Sequence, residues 1–327
     1  VVSLVACAFF TAFTGASGVT IIALGAILFP ALQQAGYPEK FNLGLVTSAG
    51  SLGLLFAPSL PLILYGVVAE VPIESLFLAG LIPGFLMLIM LSAYSIWRNR
   101  AIRTPLGDFS WHEVSGAVRE SMWEIPLPIV VLGGIYSGYF AISEAAAVTA
   151  LYVLVVDVVI LKEVTLRKLP SIIRQSMILV GGIMMILGVS RASTNFMIDA
   201  GVPQQLLQWT SGFVSGEFAF MVMLLVFLLI LGAILDVFSA IVLVVPLILP
   251  VAVQFGVHPV HLGIVFLATM QLGYITPPVG LNLFIAGYRF DRPIVDIYLS
   301  TLPFFFFLML SVILIAFWPA LSLFLVK

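Results

Sequence analysis

The residues best placed to bind a solute form a double-proline break inside an apolar run. Pro277 and Pro278 interrupt the apolar stretch 260–286, and Gly273 and Gly280 flank them. Each proline lacks a backbone N–H and clashes with the preceding helical turn, so the stretch cannot be one continuous helix. Because lipid cannot bond the freed carbonyl and N–H groups, such a break must face protein, water or a bound solute. An ordinary proline kink is the alternative interpretation.

A second break lies earlier in the chain, at residues 52–61. Five proline and glycine positions recur at one offset of 220 residues: Pro30 and Pro250, Gly36 and Gly256, Gly53 and Gly273, Pro58 and Pro278, Pro83 and Pro303. A pair of Pro/Gly-interrupted apolar segments at corresponding places in two halves points to the binding site of a secondary transporter. The pairing therefore favours a solute site over two unrelated kinks.

Composition places these breaks in a membrane. The chain is 62% hydrophobic and only 9% charged, whereas soluble domains carry about 25% charged residues. We therefore expect a polytopic helical membrane protein in contact with the lipid bilayer. The sequence has no basic patch, so no nucleic-acid partner is expected. It opens on apolar Val1 without a Met or a basic segment, which predicts that it begins inside a larger protein and not with a signal peptide.

The apolar segments predict two repeats around a middle region. The predicted boundaries are a first repeat at 1–97 (hairpin 4–35, broken helix 41–70, span 75–97), a connection with scaffold helices at 98–217, and a second repeat at 218–327 (hairpin 218–253, broken helix 260–288, span 297–326). A Gly/Ser tip at 14–18 divides the first hairpin, and Asp236 lies near the middle of the second. Each plain span has the roughly 20 apolar residues that cross the hydrocarbon.

Basic residues predict the orientation of these segments. Two stretches, 98–119 and 162–174, each hold four Lys or Arg residues and are placed in the cytoplasm. The connections 66–75, 198–217 and 253–260 contain no Lys or Arg and are placed outside. Each connection lies on the side that its Lys and Arg content predicts if both hairpins enter and leave the membrane on the same side, without crossing it. The two halves then become inverted repeats.

Several segments together resemble a known family. They are 50–66 (GSLGLLFAPSLPLILYG), 76–84 (LFLAGLIPG), 133–138 (GGIYSG), 144–148 (EAAAV) and 276–280 (TPPVG). They resemble the large membrane subunit of tripartite ATP-independent periplasmic (TRAP) transporters, the DctM type, over essentially the whole chain. The chain departs from the family's usual Pro-Pro-Ser at Ala57-Pro58-Ser59. The family's first scaffold helices are not represented, so we interpret the chain as lacking the subunit's N-terminal part.

The resemblance implies an all-α, elevator-type transporter with inverted repeats, two re-entrant hairpins and two discontinuous helices. It implies sodium as the coupling ion, with no other cofactor. It also implies a small four-helix membrane subunit and a periplasmic solute-binding protein as partners. The expected function is import of small organic acids, with C4-dicarboxylates as the default, across the bacterial inner membrane in a multi-pass protein. An elevator-type sodium/anion symporter that needs no binding protein is the main alternative.

Sodium would take oxygen ligands, which carbonyls freed at a break and nearby hydroxyls or amides supply. The sodium candidates are Ser17, Gly50, Ser51, Gly53, Pro58, Gly273, Thr276, Pro277 and Gly280. Substrate-binding or site-support candidates are Ser59, Asp236 and Asn282. For Ser17, Ser51 and Thr276 the alternative is helix packing by small residues. For Asp236 it is an N-cap of the second hairpin helix.

A remote alternative is an intramembrane serine protease. Residues 15–18 (GASG) match the surroundings of such a nucleophile and would make Ser17 catalytic. The reaction needs a general base within hydrogen-bond reach. His261 is the histidine closest to an apolar segment, and we expect it, with His258, to lie in an external connection. The chain is therefore predicted not to be an enzyme.

Overall fold

The computed structural model describes residues 1–100, 110–213 and 216–326, and the regular structure within these ranges is entirely helical. Seven of the described helices are long and apolar enough to cross a membrane. A bent pair of helices at 39–55 and 60–69 makes an eighth candidate span. The prediction of an all-α polytopic membrane protein is confirmed.

The described chain forms sixteen α-helices. In chain order they are α1 Val2–Thr14, α2 Ser17–Gln34, α3 Glu39–Ala49, α4 Leu60–Ala69, α5 Ile73–Asn99, α6 Trp111–Glu120, α7 Pro126–Tyr136, α8 Ile142–Val155, α9 Leu169–Asp199, α10 Val202–Phe213, α11 Glu217–Ile234, α12 Val237–Gln254, α13 Pro259–Gly273, α14 Leu281–Phe290, α15 Ile294–Phe317 and α16 Ala320–Leu323. A short 3-10 turn covers Leu52–Leu55, and a single π-helical turn covers Val156–Ile160.

Both predicted broken helices are broken in the structure. The first consists of α3, the 3-10 turn and α4, with a bend of 43°. We name residues 50–59 between α3 and α4 break 1, and residues 274–280 between α13 and α14 break 2. Each break contains one cis peptide bond, Ala57-Pro58 and Pro277-Pro278. The proline and glycine positions therefore locate both interruptions correctly.

Residues 1–104 and 190–327 form one compact unit. Its centre is made by the first parts of the two broken helices. Residues 41–49 of α3 and 260–273 of α13 are buried on every side. A helix that is apolar all round is expected inside a bundle. Helix α15 packs on α3, and α11 packs on α13.

Each broken helix begins against the end of the other. The Tyr65 hydroxyl on α4 donates to the Pro259 carbonyl, at the first residue of α13, over 2.8 Å. At the start of α3, the Glu39 carboxylate pairs with the Arg292 guanidinium, just after α14. The two broken helices are therefore cross-linked at both of their beginnings.

Corresponding halves also share a helix-ending motif. Helices α2 and α12 each have 18 residues, and their bounds differ by the offset found in the sequence. After α2, the Tyr37 N–H donates to Leu32 O over 3.1 Å, and after α12, the Val257 N–H donates to Ala252 O over 2.9 Å. These bonds form around Gly36 and Gly256, whose φ values are +81° and +89°. Glycine adopts this left-handed conformation without the steric cost of a Cβ, which is why it ends both helices.

Residues 105–189 form a second compact unit. Within its described part, α7 packs on α8, and the Tyr152 hydroxyl donates to the Trp123 carbonyl over 2.8 Å. The Glu144 carboxylate accepts the Ala141 N–H over 3.0 Å at the start of α8. Residues 101–109 of the predicted cytoplasmic connection lie outside the described residues.

Two local features differ from the sequence-based expectation. The connection 198–217 contains a helix, α10, that was not anticipated. His261 belongs to α13 and not to a connection, because His258 caps this helix by accepting the Val260 N–H over 3.2 Å. The His261 ring is buried, with Nδ1 2.6 Å from Ser322 Oγ and Nε2 3.2 Å from the Ala316 carbonyl.

The contact of α1 with break 1 gives a stability prediction. A Cβ at Gly53 would lie 2.2 Å from the Ala8 carbonyl oxygen, which is backbone and cannot rotate away. We expect Gly53→Ala to lower the midpoint of thermal unfolding in detergent, because overpacking of this kind costs about 1–3 kcal/mol. Gly133→Ala is the matched control, since a Cβ there meets no atom within 4 Å. Equal midpoints for both variants would contradict the close approach.

Candidate functional site

The junction of α1 and α2, which we call tip 1 (residues 14–17), packs on break 1. Gly15 ends α1 with φ +66°, and a Cβ there would lie 2.8 Å from Leu60 Cβ. On the neighbouring turn, Thr11 Oγ1 lies 2.9 Å from the Gly50 carbonyl oxygen. Ser17, the first residue of α2, is buried at this junction. Helix pair α1–α2 therefore covers backbone groups that the interruption of α3 leaves open.

The Thr11 hydroxyl is central to this contact. Its oxygen lies 2.6 Å from Thr20 Oγ1, 2.8 Å from the Cys7 carbonyl and 2.9 Å from the Gly50 carbonyl. Either threonine can be the donor in the Thr11–Thr20 bond, but Thr11 has one proton and donates to at most one of the two carbonyls at a time. The Gly50 carbonyl therefore keeps capacity for another electropositive partner.

The junction of α11 and α12, tip 2 (residues 234–237), packs on break 2 in a corresponding way. The Gly280 N–H donates to the Ala233 carbonyl over 3.0 Å. The Val237 N–H donates to the Tyr274 hydroxyl oxygen over 2.6 Å. Gly273 lets the backbones approach, since a Cβ there would lie 2.5 Å from the Gly232 carbonyl carbon. Each break is thus covered by the tip of a preceding helix pair.

Asp236 is the N-cap of α12. Its Oδ2 accepts the N–H groups of Phe238 and Ser239 over 3.0 and 3.1 Å, and its Oδ1 accepts the Ser239 hydroxyl over 2.6 Å. The carboxylate therefore satisfies the first turn of α12 at tip 2, which is the capping role considered from the sequence. Its bonded oxygens stiffen the segment that rests on break 2.

Asn282 joins the two halves. This second residue of α14 is fully buried, and its Nδ2 donates to the Thr47 carbonyl on α3 over 3.3 Å. Its own N–H donates to the Tyr274 carbonyl over 3.1 Å. The start of α14 is therefore bonded both to its own break and to the helix that precedes the other break.

Several buried oxygen atoms near these junctions have no hydrogen-bond partner. Among the described residues they include Ser48 Oγ, next to Thr47, Ser59 Oγ at the end of break 1, and Asn282 Oδ1. Leaving a buried polar atom unpaired costs about 1–3 kcal/mol. A cation or a polar solute that bonded these oxygens would recover that free energy, so they are the strongest structural indication of a binding site.

The other predicted residues fall into two local groups. Ser51 and Gly53 are buried within break 1, where Pro58 is half-buried. Thr276 is half-buried in break 2 and its hydroxyl donates to the Leu272 carbonyl over 2.9 Å. Pro277 is exposed. Of the predicted side chains, the structure bonds only Asn282 across the two halves.

Sequence reasoning missed four residues that complete these contacts: Thr11, Thr20, Thr47 and Tyr274. The three threonines are polar residues inside apolar helices, and that signal was available without a structure. Tyr274 sits directly after Gly273, but nothing in the sequence indicates that its hydroxyl reaches residue 237. Only packing of tip 2 against break 2 brings these groups together.

Comparison with known proteins decides the family. Residues 1–321 match the family described as "Tripartite ATP-independent periplasmic transporter, DctM component". The chain belongs to this family. It is therefore a TRAP transporter large permease and a multi-pass membrane protein.

Individual relatives agree with this assignment. The chain is 31% identical to the C4-dicarboxylate TRAP transporter large permease protein DctM of Pseudomonas aeruginosa, over 99% of this chain and 76% of the relative. Identity to the DctM protein of Rhodobacter capsulatus is 32%, over 98% and 76% respectively. Identity to the isethionate TRAP transporter permease protein DctMQ of Oleidesulfovibrio alaskensis is 33%, over 97% of this chain and 50% of the relative.

These relatives are transport permeases and not enzymes, so the serine-protease alternative is wrong. The structure gives a physical reason at His261. Both ring nitrogens of His261 bond to other groups, Ser322 and the Ala316 carbonyl. The histidine considered as the general base is therefore committed to packing the C-terminal helices of this TRAP permease on α13.

The bond between tip 2 and break 2 gives a prediction. Tyr274→Phe removes the acceptor of the buried Val237 N–H, and an unpaired buried N–H costs about 1–3 kcal/mol. We expect a lower midpoint of thermal unfolding for the purified permease. Tyr288→Phe removes the same hydroxyl from a side chain that is 91% exposed and should leave the midpoint unchanged. If the two variants behave alike, the Tyr274 hydroxyl does not hold tip 2.

Proposed function

We propose that this chain is the large membrane subunit of a sodium-driven secondary transporter. It imports small organic acids that a periplasmic binding protein delivers. The observation that carries this proposal is the bond from Asn282 on α14 to Thr47 on α3, which joins the two broken helices. The unpartnered buried oxygens of Ser48, Ser59 and Asn282 lie on or next to these helices and support it. Broken helices of this kind supply both carbonyl and N–H groups to ions and solutes in secondary transporters.

Sodium coupling is supported by the chemistry of the available oxygens. Ser48 Oγ, Ser59 Oγ and Asn282 Oδ1 are buried and unpartnered, and the Gly50 carbonyl shares the Thr11 proton with the Cys7 carbonyl. Neutral hydroxyl, amide and carbonyl oxygens are hard ligands that suit sodium. We propose that the sodium ions bind at breaks 1 and 2, using the candidates named from the sequence with Thr11 and Ser48 added.

Helix polarity supports an anionic substrate. Four helices begin at the breaks and tips: α4 and α14 after the breaks, and α2 and α12 after the tips. Helix N-termini present the positive end of the helix dipole and, where they lack internal partners, free N–H groups, which favour anions. The first N–H groups of α12 are bonded to the Tyr274 hydroxyl and the Asp236 carboxylate, and those of α14 to the Tyr274 and Gly280 carbonyls. The starts of α2 and α4 are therefore the better anion sites. We propose that the substrate carboxylate is bound there, with Ser59 and Asn282 as polar contacts. Asp236 supports the site by capping α12.

The names of the three relatives described above support a small organic acid, while a further relative, 31% identical, is named for ectoine and 5-hydroxyectoine. Two of the three transport C4-dicarboxylates, and the third transports isethionate. These substrates are small and anionic. A C4-dicarboxylate or a similar organic acid is therefore the substrate we propose.

The mechanism we propose is an elevator. The repeats are 1–97 and 218–327, joined by the connection and scaffold helices at 98–217, with both hairpins re-entrant. The matching bounds of α2 and α12 and the repeated bonds after them support two repeats. The distribution of Lys and Arg supports their inverted orientation. The cross-links between the broken helices favour movement of breaks 1 and 2 as one rigid body.

The family description, a component of a tripartite periplasmic transporter, supports the proposed partners. They are a small four-helix membrane subunit and a periplasmic solute-binding protein, acting at the inner membrane of a bacterium. The relative named DctMQ indicates that the permease can be joined to another component in one chain.

Reconstituted uptake tests this function. The full complex in vesicles should accumulate a radiolabelled C4-dicarboxylate only with its binding protein present and an inward sodium gradient. Replacing the sodium gradient by an equal potassium gradient is the control. Uptake without sodium would contradict the coupling, and sodium-dependent uptake without the binding protein would favour the symporter alternative.

A variant tests the role of Asn282 in sodium use. Asn282→Leu keeps the side-chain size but removes the unpartnered oxygen. We expect the sodium concentration for half-maximal uptake to rise on the order of tenfold, as for loss of one interaction worth about 1.4 kcal/mol. Asn99→Leu is the matched control. The Asn99 amide is also buried, and it donates to the Ser95 carbonyl over 2.9 Å within the last turn of α5, which belongs to neither break. Similar sodium dependence in both variants would show that Asn282 serves packing alone.

A further inference from the structure

The loop between α8 and α9 forms an open depression that the transport mechanism does not use. Its volume is ≈ 560 Å³. It is lined by Val158, Lys162, Val164, Thr165, Leu166 and Arg167. These residues all belong to the compact unit 105–189. The lining therefore combines two cationic side chains with three aliphatic ones.

Backbone hydrogen bonds give the depression its shape. Lys162 adopts a left-handed conformation, with φ +57°, just after the π-helical turn. The chain then folds back, and the Val164 N–H donates to the Asp157 carbonyl over 3.2 Å. A second turn follows, closed by the Lys168 N–H and the Thr165 carbonyl at 2.8 Å. The loop is a bonded structure that presents Lys162 and Arg167 on one surface.

The two cations of this depression have no carboxylate partner among the residues that the structure describes. Lys162 and Arg167 are exposed, and neither forms an ion pair with a residue that the structure describes. Leu166 between them is 72% exposed. An exposed leucine beside two unpaired cations suits a partner that is anionic at one end and apolar at the other.

The position of the loop indicates where such a partner comes from. The segment 143–160 before it and the segment 169–189 after it are both long and apolar enough to cross a membrane. A loop that joins two such segments lies at the surface of the bilayer. Basic residues directly next to membrane helices attract anionic lipid headgroups.

We propose that this depression binds an anionic phospholipid. The lipid phosphate lies between Lys162 and Arg167, and the upper part of an acyl chain lies along Val158, Val164 and Leu166. A free phosphate would bond the two cations equally well but would leave the aliphatic lining in water. The aliphatic lining therefore favours a lipid over a soluble anion.

Native mass spectrometry of the purified full-length permease tests this proposal with dioleoyl phosphatidylglycerol and dioleoyl phosphatidylcholine. We expect the Kd of phosphatidylglycerol to be at least about tenfold lower. The two lipids share their acyl chains and phosphate, but choline neutralises the phosphate charge and glycerol does not, and each basic residue near an anionic surface contributes about a fivefold factor. The double variant Lys162→Gln with Arg167→Gln should raise the Kd of phosphatidylglycerol about 30-fold and leave that of phosphatidylcholine unchanged.

Two variants control for general charge and folding. Arg174→Gln removes a basic residue of the same stretch that does not line the depression, so the preference for phosphatidylglycerol should persist. Arg167→Lys keeps the charge and should keep the affinity. A double variant that elutes as a single species and binds phosphatidylcholine normally is folded, so its loss of phosphatidylglycerol binding then supports the proposal.

Four results would overturn it. Equal Kd values for the two lipids, or an unchanged Kd in the double variant, would remove the lipid site. Competition by inorganic phosphate at the concentrations at which phosphatidylglycerol binds would make it a soluble-anion site. Cross-linking of Thr165→Cys to the small membrane subunit in the assembled complex, together with loss of phosphatidylglycerol binding, would make it a protein contact.

Discussion

An opened helix inside a membrane must find partners for its backbone, and this constraint organises the larger unit of the protein. Lipid offers no donors or acceptors, so every carbonyl and N–H freed at the two breaks has to face protein or a bound solute. The tips of α1–α2 and α11–α12 supply that protein. Gly53 and Gly273 permit the approach, because a Cβ at either position would meet the backbone of the covering helix.

The two breaks meet the same constraint with different chemistry. At break 1 a side-chain hydroxyl, Thr11, reaches the Gly50 carbonyl. At break 2 the bonds run from the Gly280 N–H to the Ala233 carbonyl and from the Val237 N–H to the Tyr274 hydroxyl. The shared prolines and glycines set the backbone path in both halves, whereas the bonding partners are particular to each half. The two breaks therefore need not bind the same group, which agrees with the proposed transport of an organic anion coupled to a cation.

Most of the polar groups around the two breaks have hydrogen-bond partners, which stabilises the fold. A few buried oxygens have none, and these are the atoms of the proposed binding site. Asn282 shows this best, because its amide nitrogen bonds α3 while its oxygen has no partner. The bonded half fixes the side chain, and the free half offers a ligand that is already in place. Preorganisation of this kind lowers the free-energy cost of binding an ion, since the side chain loses little freedom when the ion arrives.

The sequence alone determined the fold class and the positions of both breaks, because these depend on local chemistry, and the resemblance of its motifs indicated the family. Proline cannot donate a backbone bond, glycine ends helices with positive φ, and long apolar runs cross bilayers. Tertiary structure decided which groups meet. Thr47 and Asn282 are 235 residues apart in the chain. His261 was misplaced because its hydrogen-bond partner Ser322 lies 61 residues further along the chain. Such contacts arise from how helices pack, and no local pattern around either residue encodes them.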